Sequence, residues 1–293
     1  MWFAFALLSA ILYSFRGVLE KGSITRTNRY VLGLAVRLFA LPFFFLPFLL
    51  NPDLFIPLGD LSADFWISVL IISIFMTPTE TFFYYKALKQ EEHTLALPIL
   101  SLTPILTMGF GVIFFDEYPT LLGLFGVLGI LLGVYSLKIG HARHGLLEPL
   151  YHLSRNRSVQ FMAVVALSLG LGAILDKVGV KASNAYMFGV VNYTFITVVL
   201  FVVAWVKARR DMYQLKTHFD KLSIIGAVVA GYTLLYFQAL ESGNTAYVVA
   251  IRNASILMTI ILGVFWLKEK DLKAKLLAGS FIFAGLVCIK VFG

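Results

Sequence analysis

Ten apolar stretches dominate this chain, each long enough to cross the roughly 30 Å hydrocarbon core of a bilayer. They cover residues 2–20, 30–50, 65–88, 94–115, 119–139, 158–180, 184–206, 221–242, 245–267 and 271–291. In lipid a backbone must satisfy its own hydrogen bonds, and a helix does so within one segment. The expected fold class is therefore all-α: a polytopic membrane protein with ten transmembrane helices in the lipid bilayer. Composition supports this where it counts. Only 14% of the 293 residues are charged and 59% are hydrophobic, whereas a soluble domain carries about a quarter charged residues. The first stretch lacks the basic start of a secretory signal. Arg16 to Lys21 also puts charge where a small-residue cleavage site would lie, so it reads as a retained helix.

The stretches repeat. Tyr84 to Lys138 aligns without a gap on Tyr236 to Lys290, with 12 of 55 pairs identical. Tyr84 matches Tyr236, Thr107 matches Thr259, Glu117 matches Glu269 and Gly133 matches Gly285. Near the start of each half, Val18-Leu19-Glu20-Lys21 resembles Ile174-Leu175-Asp176-Lys177. The expected organisation is a first repeat over 1–140, a central connecting loop over 141–157 and a second repeat over 158–293. Five helices per repeat is an odd number, so two such repeats in one membrane must be inverted. Repeats of this kind point to transporters, whose substrate sites lie near the bilayer midplane where repeats meet.

The net charge of +8 is a topology signal rather than a nucleic-acid footprint. Of the 24 Lys and Arg, 17 fall in the connections after the odd-numbered segments. Three (Lys177, Lys181 and Lys290) fall on the side of the termini, and four (Arg16, Arg37, Lys86 and Arg252) lie within segments. Short basic loops stay cytoplasmic. Both termini are thus expected outside the cytoplasm, in the plasma (inner) membrane of a bacterium or archaeon.

The doubled pattern Tyr-x-x-Ala-Leu, then a small and apolar helix, a Glu-containing turn and a Gly-rich helix resembles the EamA-type carriers of the drug/metabolite transporter superfamily. Here it reads Tyr84 to Leu88 through Glu117 and Gly133, and Tyr236 to Leu240 through Glu269 and Gly285. The resemblance extends over essentially the whole chain. It implies ten helices and alternating-access transport of small organic metabolites, often outward. It also implies both termini in the cytoplasm, opposite to the charge bias.

A charge at the centre of a spanning helix costs about 2.5–3.5 kcal/mol on insertion scales, so each one calls for a reason. Arg37 in the second segment and Glu80 in the third fall at similar depth. They either pair structurally or take part in gating and proton coupling, with Thr77, Pro78, Thr79 and Thr81 around the acid. Arg252 in the ninth segment shares a helical face with Thr245, Ser255 and Thr259, and no acid lies nearby in that segment. An anionic group of a ligand explains it, because the guanidinium fork suits carboxylate or phosphate; the structural alternative is snorkelling, or pairing with Asp176 or Glu241. Ser101 and Thr107 in the fourth segment, Asn192 in the seventh, and Tyr84 and Tyr232 complete the candidate lining. Their ordinary alternatives are back-bonding to their own helix and interfacial anchoring. Arg16 is less deeply placed.

Glu117 and Glu269 sit in turns and read as caps of the helices that follow them. Gly123, Gly126, Gly129 and Gly133, with Gly279 and Gly285, read as packing positions, with a homodimer face as a further use. His141, His144 and His152 do not have metal-site spacing, so no metal or other cofactor is expected. The sequence has one deep carboxylate and no deep histidine, which argues against an enzyme. The expected function is secondary active transport, as exporter or exchanger, of a small anionic or zwitterionic organic metabolite. A lipid or lipid-linked head-group flippase, or cationic drug efflux through Glu80, is the alternative.

Overall fold

The computed structural model describes residues 1–24, 28–88, 96–139, 156–258 and 272–293. Every regular element among them is helical. The longer helices are α1 (Trp2–Ile24), α2 (Arg29–Leu38), α3 (Leu41–Leu50), α4 (Ala63–Leu70), α5 (Thr77–Leu88), α6 (Thr103–Phe115), α7 (Leu121–Ile139), α8 (Arg157–Lys181), α9 (Ala185–Ala208), α10 (Phe219–Ser242), α11 (Thr245–Asn253) and α12 (Leu272–Phe292). Six continuous helical stretches are long and apolar enough to cross a membrane: Tyr30–Leu50, Ala63–Tyr84, Pro98–Phe115, Arg157–Lys181, Ala185–Asp211 and Phe219–Ser242. Four shorter apolar helices are Trp2–Arg16, Leu121–Ser136, Thr245–Met258 and Ala278–Phe292.

Several spans are interrupted, and proline accounts for the breaks. A proline has no N–H to give the preceding turn. The second apolar stretch turns at Phe39 and Ala40 before Pro42, dividing α2 from α3. The third passes through a π-helical turn, Ile71–Met76, immediately before Thr77-Pro78. There the Thr77 N–H reaches back to the Ile72 carbonyl. The fourth opens as a 3-10 turn, Leu97–Leu102, with Pro98 in its first turn. Helix starts carry side-chain caps. Asn28 caps α2, Ser62 caps α4, Asn184 caps α9 and Asn244 caps α11, each accepting from a first-turn amide. Such caps satisfy amides that would otherwise be orphaned in an apolar medium.

The chain forms two compact units, and neither is one sequence half. Unit 1 holds Met1–Thr77 with Leu175–Ser242, and unit 2 holds Pro78–Ile174 with Gly243–Gly293. In unit 1, α1 packs on α10 and α2 packs on α9. The Ser9 hydroxyl donates to the Tyr232 carbonyl at 2.7 Å. Phe44 lies 4.4 Å from Tyr193 ring to ring, and Phe188 meets both Phe65 and Phe237 edge-on. Glu241 accepts from the Ala185 amide at 2.9 Å and so closes the start of α9.

In unit 2, α7 packs along α12 and α6 packs on α11. The contact of α7 with α12 uses the glycines. A Cβ on Gly285 would stand 2.5 Å from the Gly126 carbonyl, and one on Gly133 would stand 2.7 Å from the Ala278 carbonyl. These glycines let two backbones approach within the chain. A second core in this unit gathers Ala87, Ile99, Val159, Met162, Val165 and Ala166. The central loop expected over 141–157 and the turn bearing Glu269 lie almost wholly outside the described residues; α8 begins at Arg157, inside the expected loop.

Candidate functional site

Unit 1 holds two arginines on membrane-spanning elements, each laid on tyrosine. Arg37 comes from α2, and its guanidinium sits 5.2 Å from the centre of the Tyr193 ring on α9. The Tyr193 hydroxyl is bonded to Thr233 Oγ1 of α10 at 2.8 Å. Arg16 comes from α1, and its Nη1 donates to the Tyr232 hydroxyl at 2.8 Å. The same guanidinium lies 5.7 Å from the Tyr13 ring and 5.9 Å from the Tyr232 ring. Consecutive residues of α10, Tyr232 and Thr233, therefore hold both arms. An aromatic face returns about 0.5–2 kcal/mol to a cation, less than the insertion cost of a charge.

Two polar groups near Tyr193 stand out. Arg37 Nε is buried and has no hydrogen-bond partner. Asn192, beside Tyr193 in sequence, is 2% exposed, and its Oδ1 also lacks a partner. Each such group costs about 1–3 kcal/mol when buried.

Unit 2 holds the carboxylate. Glu80 on α5 accepts from the Ser168 hydroxyl of α8 at 3.5 Å, and α8 passes beside it at Gly172. Thr107 is fully buried, and its hydroxyl donates at 2.9 Å to the Thr103 carbonyl of its own helix. Ser101 is buried with its hydroxyl unpartnered. Tyr84 packs against the core around Ala87 and Met162. Arg252 sits near the end of α11, where the helix turns at Ala254. Arg252 and Ser255 each engage a partner within the protein. The expectation that Arg252 is an orphan charge therefore does not hold. Thr259 lies outside the described residues.

The expected lining is thus distributed. Arg37, Asn192 and Tyr232 belong to unit 1, while Ser101, Thr107, Tyr84, Glu80, Arg252 and Ser255 belong to unit 2. Tyr193 and Thr233 were not singled out by the sequence. The loop count also needs one revision. Lys177 lies within α8 and is only 3% exposed, so it is no free loop base. Among the described residues no three metal-binding side chains come together.

The profile of the EamA-like transporter family matches residues 1–138 and again 156–291. A protein described as an uncharacterized transporter in the cobO 3′ region of Sinorhizobium sp is 30% identical over 143 residues, which is 47% of this chain and 99% of that protein. A crystal structure of a protein 14% identical superposes with a TM-score of 0.78, covering 98% of this chain and 94% of the other, a likeness of fold. The chain belongs to the EamA-like transporter family of the drug/metabolite transporter superfamily, and it is an integral membrane transporter.

Proposed function

We propose that the chain is a secondary active carrier, working as exporter or exchanger, for a small anionic or zwitterionic organic metabolite. The observation that carries this reading is the placement of cationic side chains inside apolar spans. Arg16 and Arg37 are laid on tyrosines in unit 1. Arginine held within a span on protein partners, instead of at its end, serves an anion better than a cation. In this reading Arg252 and Ser255 with Thr259, Ser101 and Thr107 take part in binding from unit 2. Glu80, with Ser168 beside it, carries the proton or gates the path. The ten-helix inverted repeat supplies alternating access.

Counterflow into proteoliposomes tests this. Vesicles preloaded with amino acids, carboxylates or phosphate esters should take up the labelled counterpart of one class. Uptake by that class should saturate and should respond to an imposed pH gradient in the wild type but not in Glu80→Gln. Transport confined to cationic drugs would refute the anion reading and transfer the role to Glu80. Movement of a labelled lipid head group between leaflets, without soluble uptake, would make the chain a flippase.

A further inference from the structure

We infer that Arg37 is the anchor for the anionic group of the cargo. This rests on the anion reading above and locates its binding group within unit 1, in place of Arg252 alone. The physical case has three parts, each from a different kind of observation.

Arg37 is the ninth residue of α2, roughly 12 Å along a helix that rises 1.5 Å per residue. At that depth an arginine either snorkels to the interface or finds work inside. Its guanidinium lies over Tyr193, which is 5% exposed and tied to Thr233. It therefore points onto α9 and α10 within its own unit.

Buried arginines normally end on a carboxylate. Among the described residues no carboxylate pairs with Arg37, and its Nε–H has no acceptor. Unit 1 holds a second arginine against the same helix, α10, since Arg16 donates to the Tyr232 hydroxyl, next in sequence to the Thr233 that holds Tyr193. Arg37 thus brings a positive charge and an N–H that has no acceptor among the described residues. An oxyanion complements both. The Nε–H and one Nη–H of a guanidinium are parallel donors, and together they take two oxygens of one carboxylate or phosphoryl group.

Tyr193 contributes geometry. Its ring centre lies 5.2 Å from the Arg37 guanidinium, while Arg37 Nε–H keeps no acceptor. The Tyr193 hydroxyl is already engaged by Thr233 and does not compete. The occupant of the site is the oxyanion of a carboxylate or of a phosphate ester, and the two differ in charge and shape.

The test uses the full-length protein in nanodiscs, with Arg37→Met, Arg37→Lys and Arg252→Gln beside the wild type. Thermal shifts are read with amino acids and mono- and dicarboxylates on one arm, and with inorganic phosphate and sugar phosphates on the other. For the arm that stabilises wild type, Arg37→Met should bind at least about tenfold more weakly, the scale of one charge-assisted hydrogen bond. Arg37→Lys, which keeps the charge and loses the fork, should fall between. Without ligand, Arg37→Met should melt at or above the wild-type temperature, because it removes a buried orphan donor. Anion stabilisation unchanged in Arg37→Met but lost in Arg252→Gln would overturn this assignment and leave the anion carrier standing. A ligand-free melting temperature well below wild type in both Arg37 variants would make Arg37 a structural residue and overturn it too. Stabilisation of wild type by cations and by neither arm would overturn the anion carrier itself.

Discussion

At Glu117 the side chain reaches a helix far from it in sequence. Its Oε2 accepts from the amide of Thr245, the first residue of α11, at 2.7 Å. The sequence marks Glu117 as a cap of the helix that follows it; in the structure it caps α11. A cap is a local event only when acceptor and amide are neighbours in sequence, and here 127 residues lie between them. The backbone makes the reach feasible: Asp116 adopts a left-handed conformation at φ 53°, ending α6 and aiming the next residue outward. Glu117→Ala should therefore cost about 1–2 kcal/mol in urea or thermal unfolding in detergent. Glu117→Gln keeps an acceptor oxygen and should lose less than half of that. Equal losses for the two variants would show that charge, and not the hydrogen bond, does the capping. Residue-level reading of the sequence worked where the partner was the bilayer, and fell short where the partner was another distant residue. It found Arg37 because a charge in lipid is conspicuous. It did not find Tyr193 and Thr233, because a tyrosine and a threonine in apolar spans are ordinary.

At the scale of elements, the expected apolar stretches are helical where their residues are described, six of them long and apolar enough to cross a membrane; the ninth, 245–267, is described only as far as residue 258. Breaks inside them were less legible. Pro42, Pro78 and Pro98 were visible, yet a proline in a membrane helix gives a kink, a π turn or a 3-10 start according to what its neighbours can satisfy. The pairing of α7 with α12 is the clearest case of sequence marking a surface without naming its partner. A glycine row can face another chain or the same one. In this fold Gly126 and Gly133 face α12 of the same chain. Gly285→Val should therefore push two backbones apart and cost about 1–3 kcal/mol as overpacking. The readout is a lower melting temperature in the purified protein, with no change in its elution volume. A change of oligomer size without loss of stability would place the row at a dimer face instead.

For the whole molecule, each compact unit takes helices from both sequence halves, and the boundary cuts the third apolar stretch at Thr77 and Pro78 and α8 at Ile174 and Leu175. Orientation can be tested directly. Cys288 is the one cysteine, so Cys288→Ser supplies a background free of thiols. Gly293→Cys in that background should react with a membrane-impermeant maleimide in intact cells if the 17 basic residues of the odd-numbered connections face the cytoplasm. Labelling only after the cells are opened would reverse the orientation and bring it into line with the family resemblance. By itself the sequence determined the class of fold, the apolar stretches and the charges that call for a reason. Those properties are set between each residue and its solvent, so they are written locally. Which helix lies on which, and which side chain meets Arg37, was decided by the tertiary structure. Lipid tails are as apolar as leucine, so a helix face turned to lipid and one turned to protein look alike in sequence. Only close backbone approach at glycines, ring contacts and satisfied polar groups separate the two, and all of these join residues far apart in the chain.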